Sequence, residues 1–218
     1  MISNASSTLV AYGQARMKRE MELWEQGFVM WDKAFEPLFQ EQDFEFATPE
    51  NIAILQCYLY GLVFKTIHAT CMETEECVFD NFLDRFKYII SSSQFLFQKD
   101  EEFRLLRGPV LQFGMGLIIC LYYTATRCRD SILRREAIAI LRRFPSKNGV
   151  WYSLQVAEVA SWVADLEDDG RNEGVIAERS RVRMHTLNWA MDCGRINVEC
   201  IQGIVGDGLK TQRAILTI

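Results

Sequence analysis

The sequence contains few of the residues that most often mark a specialised architecture. Its 218 residues include only four prolines and 13 glycines, too few for a collagen-like or long disordered chain. Only two histidines are present, and the seven cysteines are odd in number and lack zinc-site spacing. Apolar residues make up 49% of the chain and charged residues 24%, a balance typical of a globular protein. We therefore expect one folded domain over residues 1–218, with no metal site and no cofactor.

Neither a secretory leader nor a membrane span is apparent. The first residues lack the basic-then-apolar order of a secretory signal, and the scattered cysteines are typical of reduced thiols. The longest apolar run, residues 110–124, is shorter than the ~18–20 residues that cross a bilayer. We therefore expect an intracellular protein, in the cytoplasm or nucleus, with no membrane partner. The apolar run itself predicts a helix buried at the centre of the fold.

Sequence motifs for phosphate binding and covalent catalysis are also missing. Gly114 and Gly116 lie inside an apolar run rather than in a phosphate-binding loop, and no Gly-x-Ser-x-Gly element occurs. The formal net charge is −5, the opposite of the basic footprint of nucleic-acid-binding domains. These features predict that the chain does not bind nucleic acid specifically.

Helical periodicity dominates the first three quarters of the chain. Large apolar residues spaced three and four apart predict a first helix with one core-packed stripe, a flat-ligand pocket being the alternative interpretation. The stripe comprises Met17, Met21, Trp24, Phe28, Trp31, Phe35 and Leu38. Thr48-Pro49-Glu50 begins a second helix, and a third carries Phe79, Phe82, Phe86 and Ile89 and ends near Ser93.

The remaining helices are bounded by polar and proline residues. The apolar run 110–124 is the fourth, Asp130 or Ser131 caps a fifth that ends at Arg143, and a sixth covers about residues 149–167. Alternation around residues 196–201 and the Gly206-Asp207-Gly208 turn predict a closing β-hairpin. The predicted fold class is all-α, with six or so packed helices in one domain over about 15–167 and a mixed tail over 175–218.

Two charged segments admit a structural and a functional interpretation. Residues 165–173 hold an acidic cluster, which we interpret as a solvated loop, with cation or diphosphate binding as the alternative. The cluster is Asp165, Glu167, Asp168, Asp169 and Glu173. An arginine-rich stretch precedes it, and we expect a solvated face whose arginine stems pack over hydrophobic neighbours and whose guanidinium groups pair with carboxylates. An anion-binding or partner-binding surface is the alternative. The stretch comprises Arg104, Arg107, Arg127, Arg129, Arg134, Arg135, Arg142 and Arg143.

Several segments together resemble one known family. They are LYYTATRCRD (121–130), ILRREAIAILRR (132–143), GVW (149–151) and VAEVASWVADLE (156–167). Trp24 with KAFEPL (33–38), the Phe79-Asp80 pair and Arg181-Val182 fit the same pattern. Over about residues 15–190 the chain resembles the C-terminal regulatory region of fungal binuclear zinc-cluster transcription factors. The resemblance implies an all-helical regulatory domain, in many cases near genes of specialised metabolism.

The sequence also departs from that family. The family's DNA-binding end is a six-cysteine zinc cluster with a basic linker, and neither occurs here. Two interpretations follow: the chain is an excised regulatory domain, or it is a stand-alone product without DNA binding. In the second case an old regulatory pocket could have been recruited for other work, including catalysis.

Two functions of different classes remain open. The first is a regulatory or small-metabolite-binding domain, and the alternative is an enzyme of specialised metabolism such as a cyclase, isomerase or hydro-lyase. Candidate catalytic residues are His68, Asp80, Tyr122 and Arg127. Candidate ligand-binding residues are Trp24, Trp31, Tyr123, Trp162 and His185. The expected partner is a small molecule, and a homodimer is a further possibility.

Overall fold

A computed structural model describes residues 2–41, 48–107, 115–148, 151–190, 194–204 and 208–217. Within these ranges the helices are α1 (Ile2–Gln40), α2 (Pro49–Thr70), α3 (Leu83–Arg107), α4 (Met115–Arg127), α5 (Ser131–Arg143) and α6 (Ser153–Asp168). The strands are β1 (Lys147–Asn148), β2 (Trp151–Tyr152), β3 (Arg171–Asn172), β4 (Val175–Ile176), β5 (Val182–Ala190), β6 (Arg195–Ile204) and β7 (Gly208–Thr217). Short 3-10 segments cover Glu76–Phe82 and Glu178–Ser180.

The fold is mostly α, with six helices and a C-terminal β-sheet, so the all-α prediction is correct only at that coarser level. The predicted hairpin exists as β6 and β7, whereas its Gly206-Asp207 turn lies outside the described residues. A further strand, β5, was missed; it pairs with the other edge of β6 to give the antiparallel order β5-β6-β7. Since a strand needs a partner for its backbone groups, β5 is defined by β6 rather than by local sequence.

Two helix starts predicted from capping residues are confirmed. The hydroxyl of Thr48 accepts a hydrogen bond from the N–H of Asn51 at 3.1 Å, ahead of Pro49 at the first helical position. The carboxylate of Asp130 accepts the N–H groups of Ile132 and Leu133 at 3.0 and 2.9 Å. Each cap satisfies backbone donors that no helical carbonyl can reach.

The ends of two other helices differ from prediction. Helix α3 continues past the serine run to Arg107, because Ser93 and Leu96 continue the buried face of Ile89. Helix α6 begins at Ser153 rather than near residue 149, because Trp151 pairs with Asn148 in the β1–β2 hairpin. In both cases packing or strand pairing outweighs local propensity.

Helix α4 lies at the centre of the fold, as its composition predicted. It packs against α2, α3, α5 and α6, and Ile118 and Leu121 are almost inaccessible to solvent. The predicted first part of this helix, residues 110–114, lies outside the described residues. The largest hydrophobic cluster joins α4 to α5, α6 and the inner face of the C-terminal sheet, where Ile196 and Val198 are buried.

Helix α1 packs mainly against α2, and only part of its predicted stripe is buried. Phe28, Trp31 and Phe35 contact α2, where the Trp31 ring fits over Gly61 so closely that a Cβ atom there would lie 2.7 Å from it. Trp24 is 64% exposed, and Met17 and Leu38 are also exposed. The prediction of one buried stripe is therefore wrong for these three positions, because a single neighbouring helix covers less than the full apolar face.

Candidate functional site

A buried carboxylate, Glu167 at the end of α6, is the centre of an ion-pair network. Its Oε1 accepts hydrogen bonds from Arg129 Nη2 at 2.9 Å and from the N–H of Val182 at 2.6 Å. Its Oε2 accepts a hydrogen bond from Arg134, whose side chain is completely buried and whose Nε donates to the carbonyl of Cys128. Glu167 thus connects α6 to the α4–α5 region and to the start of β5.

A second carboxylate, Glu76, extends the network to the first 3-10 segment. Its Oε2 lies 2.7 Å from Arg127 Nη1 and 3.0 Å from Arg129 Nη2, so Arg129 bridges Glu76 and Glu167. Both arginines also donate to the carbonyl of Val182 at 3.2 Å. We call Glu76, Arg127, Arg129, Arg134 and Glu167 the arginine–carboxylate network.

One further ion pair and two hydrogen bonds from backbone N–H groups join the first 3-10 segment to residues 178–181. Arg181 donates to both oxygens of Asp80, at 2.9 and 2.7 Å, and is itself buried. Glu178 accepts the N–H groups of Glu76 and Cys77 at 2.8 Å each. These contacts link residues about a hundred positions apart in sequence, and they hold the 3-10 segment against the C-terminal region.

The network keeps its central charges ionised. Burial alone raises the pKa of Glu167, but the charges of Arg129 and Arg134 and the N–H of Val182 outweigh it and lower the pKa below its ordinary value. Burial lowers the pKa of Arg134, although the neighbouring Glu167 counteracts this. Removing or neutralising one partner of a buried pair of this kind is destabilising, because it leaves the other charge uncompensated.

A cavity of about 180 Å³ lies beside the network. It is bordered by the first 3-10 segment and α3, by the α4–α5 connection and by the β3–β4 hairpin. Its lining is Phe79, Asp80, Leu83, Phe86, Cys128, Arg129, Asp130, Gly174, Val175, Ile176 and Arg181. The walls are thus mostly apolar, and the polar groups come from one ion pair, Asp80–Arg181, together with Arg129 and Asp130.

The polar groups of this cavity are largely occupied within the protein. Asp80 and Arg181 bind each other, Asp130 caps α5, and Arg129 bridges two carboxylates. The Nε of Arg129 is buried and has no acceptor among the described residues. Burial raises the pKa of the Cys128 thiol to about 11, so this cysteine stays protonated at neutral pH.

The predicted catalytic residues lie in separate parts of the structure. Arg127 belongs to the arginine–carboxylate network, and Asp80 pairs with Arg181 at the cavity. Tyr122 is buried in the main core with its ring 6.0 Å from that of Trp151, and burial raises its pKa far above the ordinary value. His68 lies between α1 and α2, where its Nε2 is 3.0 Å from the carbonyl oxygen of Met21.

The predicted ligand-binding residues are equally dispersed. Trp24 is exposed on α1, while Trp31 stacks on Phe35 at 4.4 Å. Trp162 is half-buried against the main core, and Tyr123 lies among aromatic rings at the centre, where burial raises its pKa to about 12. His185 lies on β5 in register with Cys200, and its side chain is outside the described part of the chain.

The acidic cluster and the arginine-rich stretch are largely partners of each other. The prediction of a solvated acidic loop is wrong for Glu167, which is fully buried, and for Asp168, which pairs with Arg135 and Arg171. The prediction that the arginines pair with carboxylates is confirmed for Arg127, Arg129, Arg134, Arg135 and Arg142. The predicted solvated face is wrong for Arg129 and Arg134, which are buried. Arg143 lies over the ring of Phe144, and the side chains of Arg104 and Arg107 lie outside the described residues.

Sequence reasoning did not select Glu76, Glu167 or Arg181 as members of one site. The usable signal was the complementary charge of the arginine-rich stretch and the acidic cluster that follows it. Within the described ranges no group of three or more His, Cys, Asp or Glu side chains is placed to hold a metal ion. Among the described helices, α2 has the length and apolar composition that a membrane crossing requires, with a mean hydropathy of 1.3.

Comparisons with models of known protein families, with curated proteins and with solved structures find no match to this chain.

Proposed function

We propose that this chain is a regulatory domain that binds a small molecule and performs no chemistry of its own. The observation that carries the proposal is the cavity of about 180 Å³ bordered by the 3-10 segment, the α4–α5 connection and the β3–β4 hairpin. A ligand there contacts three segments that are distant in sequence, and its binding therefore stabilises their mutual arrangement. This role agrees with the resemblance to fungal regulatory regions.

The polar groups at the cavity already form ion pairs and hydrogen bonds within the protein, which favours binding over catalysis. A general acid or base must reach the substrate proton, yet Asp80 and Arg127 already serve ion pairs. The thiol of Cys128 is protonated at neutral pH because its pKa is raised to about 11, which disfavours a nucleophilic role. Among the described lining residues, the enzyme alternative would therefore depend on carboxylates that already pair with Arg181 or cap α5.

The lining also defines the ligand class. Its charged residues are two acids and two arginines, Asp80, Asp130, Arg129 and Arg181, which balance. A net ligand charge would remain uncompensated there, so we expect a neutral molecule. An apolar cavity of ~150 Å³ accommodates benzene, so a ring of similar size with one hydroxyl or carbonyl group fits this volume.

Binding of small neutral probes tests this function. We expect phenol and cyclohexanol to give saturation-transfer-difference NMR signals with the protein, and Val175→Trp at the cavity rim to weaken binding at least tenfold. The matched control is Ile215→Trp, because Ile215 is 68% exposed on β7, close to the 63% of Val175, and does not line the cavity. Absence of binding, or equal loss in both variants, would refute the proposed site.

A second prediction concerns nucleic acid. The formal net charge of −5 opposes the phosphate backbone, and Arg129 and Arg134 are buried in pairs with Glu167 rather than available to phosphate. We expect no sequence-dependent shift of duplex DNA in an electrophoretic mobility assay at low salt. A shift that resists excess competitor DNA would contradict this prediction, whereas weak binding that competitor abolishes would be non-specific.

A further inference from the structure

A second cavity lies between the end of α6, the second 3-10 segment and the β6–β7 hairpin. Its volume is about 470 Å³, and it shares no lining residue with the cavity described above. We call it the α6–sheet groove. The polar residues that line it are Asp169, Arg179, Ser180, Gln202, Lys210 and Gln212. The groove is therefore a separate and much more polar site.

The walls of the α6–sheet groove are joined by close contacts. Gly170, just after α6, lies so near Ser180 that a Cβ atom there would be 2.1 Å from the Ser180 hydroxyl oxygen. The side-chain Nε2 of Gln202 donates to the carbonyl of Ser180 at 2.6 Å. Lys210 is paired with Gln202 in the β6–β7 ladder, so their side chains lie on the same face of the sheet. These contacts run in order from the end of α6 to β7 and define the groove before a ligand arrives.

The charged groups of the groove are not used within the fold. Asp169, Arg179 and Lys210 are exposed, and their side chains form no hydrogen bond or ion pair with any described residue. By contrast, Arg181 and Arg183, which follow Arg179 in sequence, both pair with carboxylates. One carboxylate and two cations thus border the same cavity without pairing with each other. They are available to a molecule that carries both signs of charge.

Two amide side chains lie beside these charges. Gln202 is only 8% exposed, and its bond to Ser180 leaves Oε1 without a partner among the described residues. Gln212 is half-buried and lies two positions from Lys210, on the same face of β7. A side-chain amide has both a donor and an acceptor, as a peptide bond has. The two glutamines therefore complement the peptide groups of a ligand.

We propose that the α6–sheet groove binds a short peptide with a free amino and a free carboxyl terminus. The carboxylate pairs with Arg179 and Lys210, and the ammonium group pairs with Asp169. The carbonyl end of α6 adds to the second contact, because the C-terminus of a helix favours positive charge. Gln202 and Gln212 contact the peptide bonds between the two termini. This function is additional to the binding of a neutral molecule at the smaller cavity.

The same groups disfavour a phosphate or a simple anion as the ligand. A phosphate monoester carries nearly two negative charges at neutral pH. It would lie near Asp169 and near the carbonyl end of α6, and both repel it. A simple organic cation is opposed in the same way by Arg179 and Lys210. A peptide with both termini free places each of its charges beside the opposite charge.

Titration of the ¹⁵N-labelled whole chain with three matched peptides tests the proposal. The probes are triglycine, N-acetyltriglycine, which lacks the ammonium group, and triglycine amide, which lacks the carboxylate. We expect triglycine to shift the backbone amide signals of Ser180, Gln202 and Lys210. Each blocked peptide should bind about tenfold more weakly, because it loses hydrogen bonds that involve a charged group.

Substitutions in the groove assign each end of the peptide. Asp169→Asn should weaken triglycine binding and remove the preference over N-acetyltriglycine. Lys210→Gln and Arg179→Gln should weaken it and reduce the preference over triglycine amide. The matched control is Lys147→Gln, since Lys147 is an exposed lysine on β1 that does not line the groove. This control should leave triglycine binding unchanged, and circular dichroism melting confirms that each variant folds.

Three outcomes would overturn the proposal. They are the absence of shifts at the groove, equal binding of the three peptides, and tighter binding of inorganic phosphate than of triglycine at the same signals. The last result would assign the groove to anions. Phenol binding at the smaller cavity is measured separately, so failure of peptide binding leaves the proposed function standing.

Discussion

Glu167→Gln is expected to destabilise the protein by about 3–5 kcal/mol, the cost of removing one partner from a buried ion pair. The substitution preserves the shape of the side chain and removes the charge that faces Arg129 and Arg134, of which Arg134 is completely buried. Two guanidinium groups would then share the interior without that counterion. Urea unfolding monitored by circular dichroism measures the effect as a lower midpoint with an unchanged slope.

The control for this experiment is Glu158→Gln. Glu158 pairs with Arg142 at 2.9 Å, but the side chains of Glu158 and Arg142 are 40% and 44% exposed. Pairs in contact with solvent contribute ~0–1 kcal/mol, so the control should unfold almost like the wild type. Similar losses in the two variants would show that the buried network has no special energetic role.

The same carboxylate makes stability depend on pH in a defined direction. Because the pKa of Glu167 is lower in the folded protein than in the unfolded chain, protonation favours unfolding. Its contribution is complete above the ordinary glutamate pKa of about 4.3 and is lost as the pH falls through the lower folded value. Unfolding free energies of the wild type should therefore decrease more steeply below pH ~4.3 than those of Glu167→Gln.

Leu121→Ala is expected to cost about 2–5 kcal/mol, the range for truncating a large buried side chain. Leu121 is completely buried in the main hydrophobic cluster, on the helix that four other helices surround. The cavity left behind cannot close by movement of one neighbour, because α4 is enclosed on several sides. Urea unfolding again measures the loss.

The corresponding control is Ile132→Ala. Ile132 is 76% exposed, so removal of its methyl groups takes little area from the core, and a change of less than about 0.5 kcal/mol is expected. If Leu121→Ala unfolds at the same urea concentration as the wild type, α4 is not the centre of a cooperative unit. The described packing would then be wrong.

Helices and strands that are specified by residues close together in the chain were predictable from the sequence. The caps at Thr48 and Asp130 act on backbone groups two or three residues away, so their effect does not depend on the rest of the fold. The alternation of Ile196, Val198 and Cys200 likewise indicates one buried strand face. The composition of the run 110–124, of which residues 115–124 are described, predicted a helix that is apolar around most of its circumference, and such a helix has to be enclosed.

The candidate site was predictable only in fragments. Asp80 and Arg127 were selected by residue type, yet their partners Arg181 and Glu76 are 101 and 51 positions away. The acidic residues at and after the end of α6 have the composition of a solvated loop, and nothing local marks Glu167 as buried. Glu167 can be buried because Arg129, Arg134 and the N–H of Val182, which belong to other segments, all contact its carboxylate.

The sequence by itself determined a mostly helical chain, the starts of α2 and α5, the enclosure of α4 and the presence of a β6–β7 hairpin. Each of these depends on contacts between residues that are close along the chain or on the apolar character of one segment. Only the tertiary structure decided that α1 leaves Trp24 exposed, that β5 joins the sheet, and that Glu167 is buried between two arginines. Each of these outcomes depends on contacts between residues that are far apart in sequence. The free energy of such contacts cannot be read from the local spacing of apolar residues.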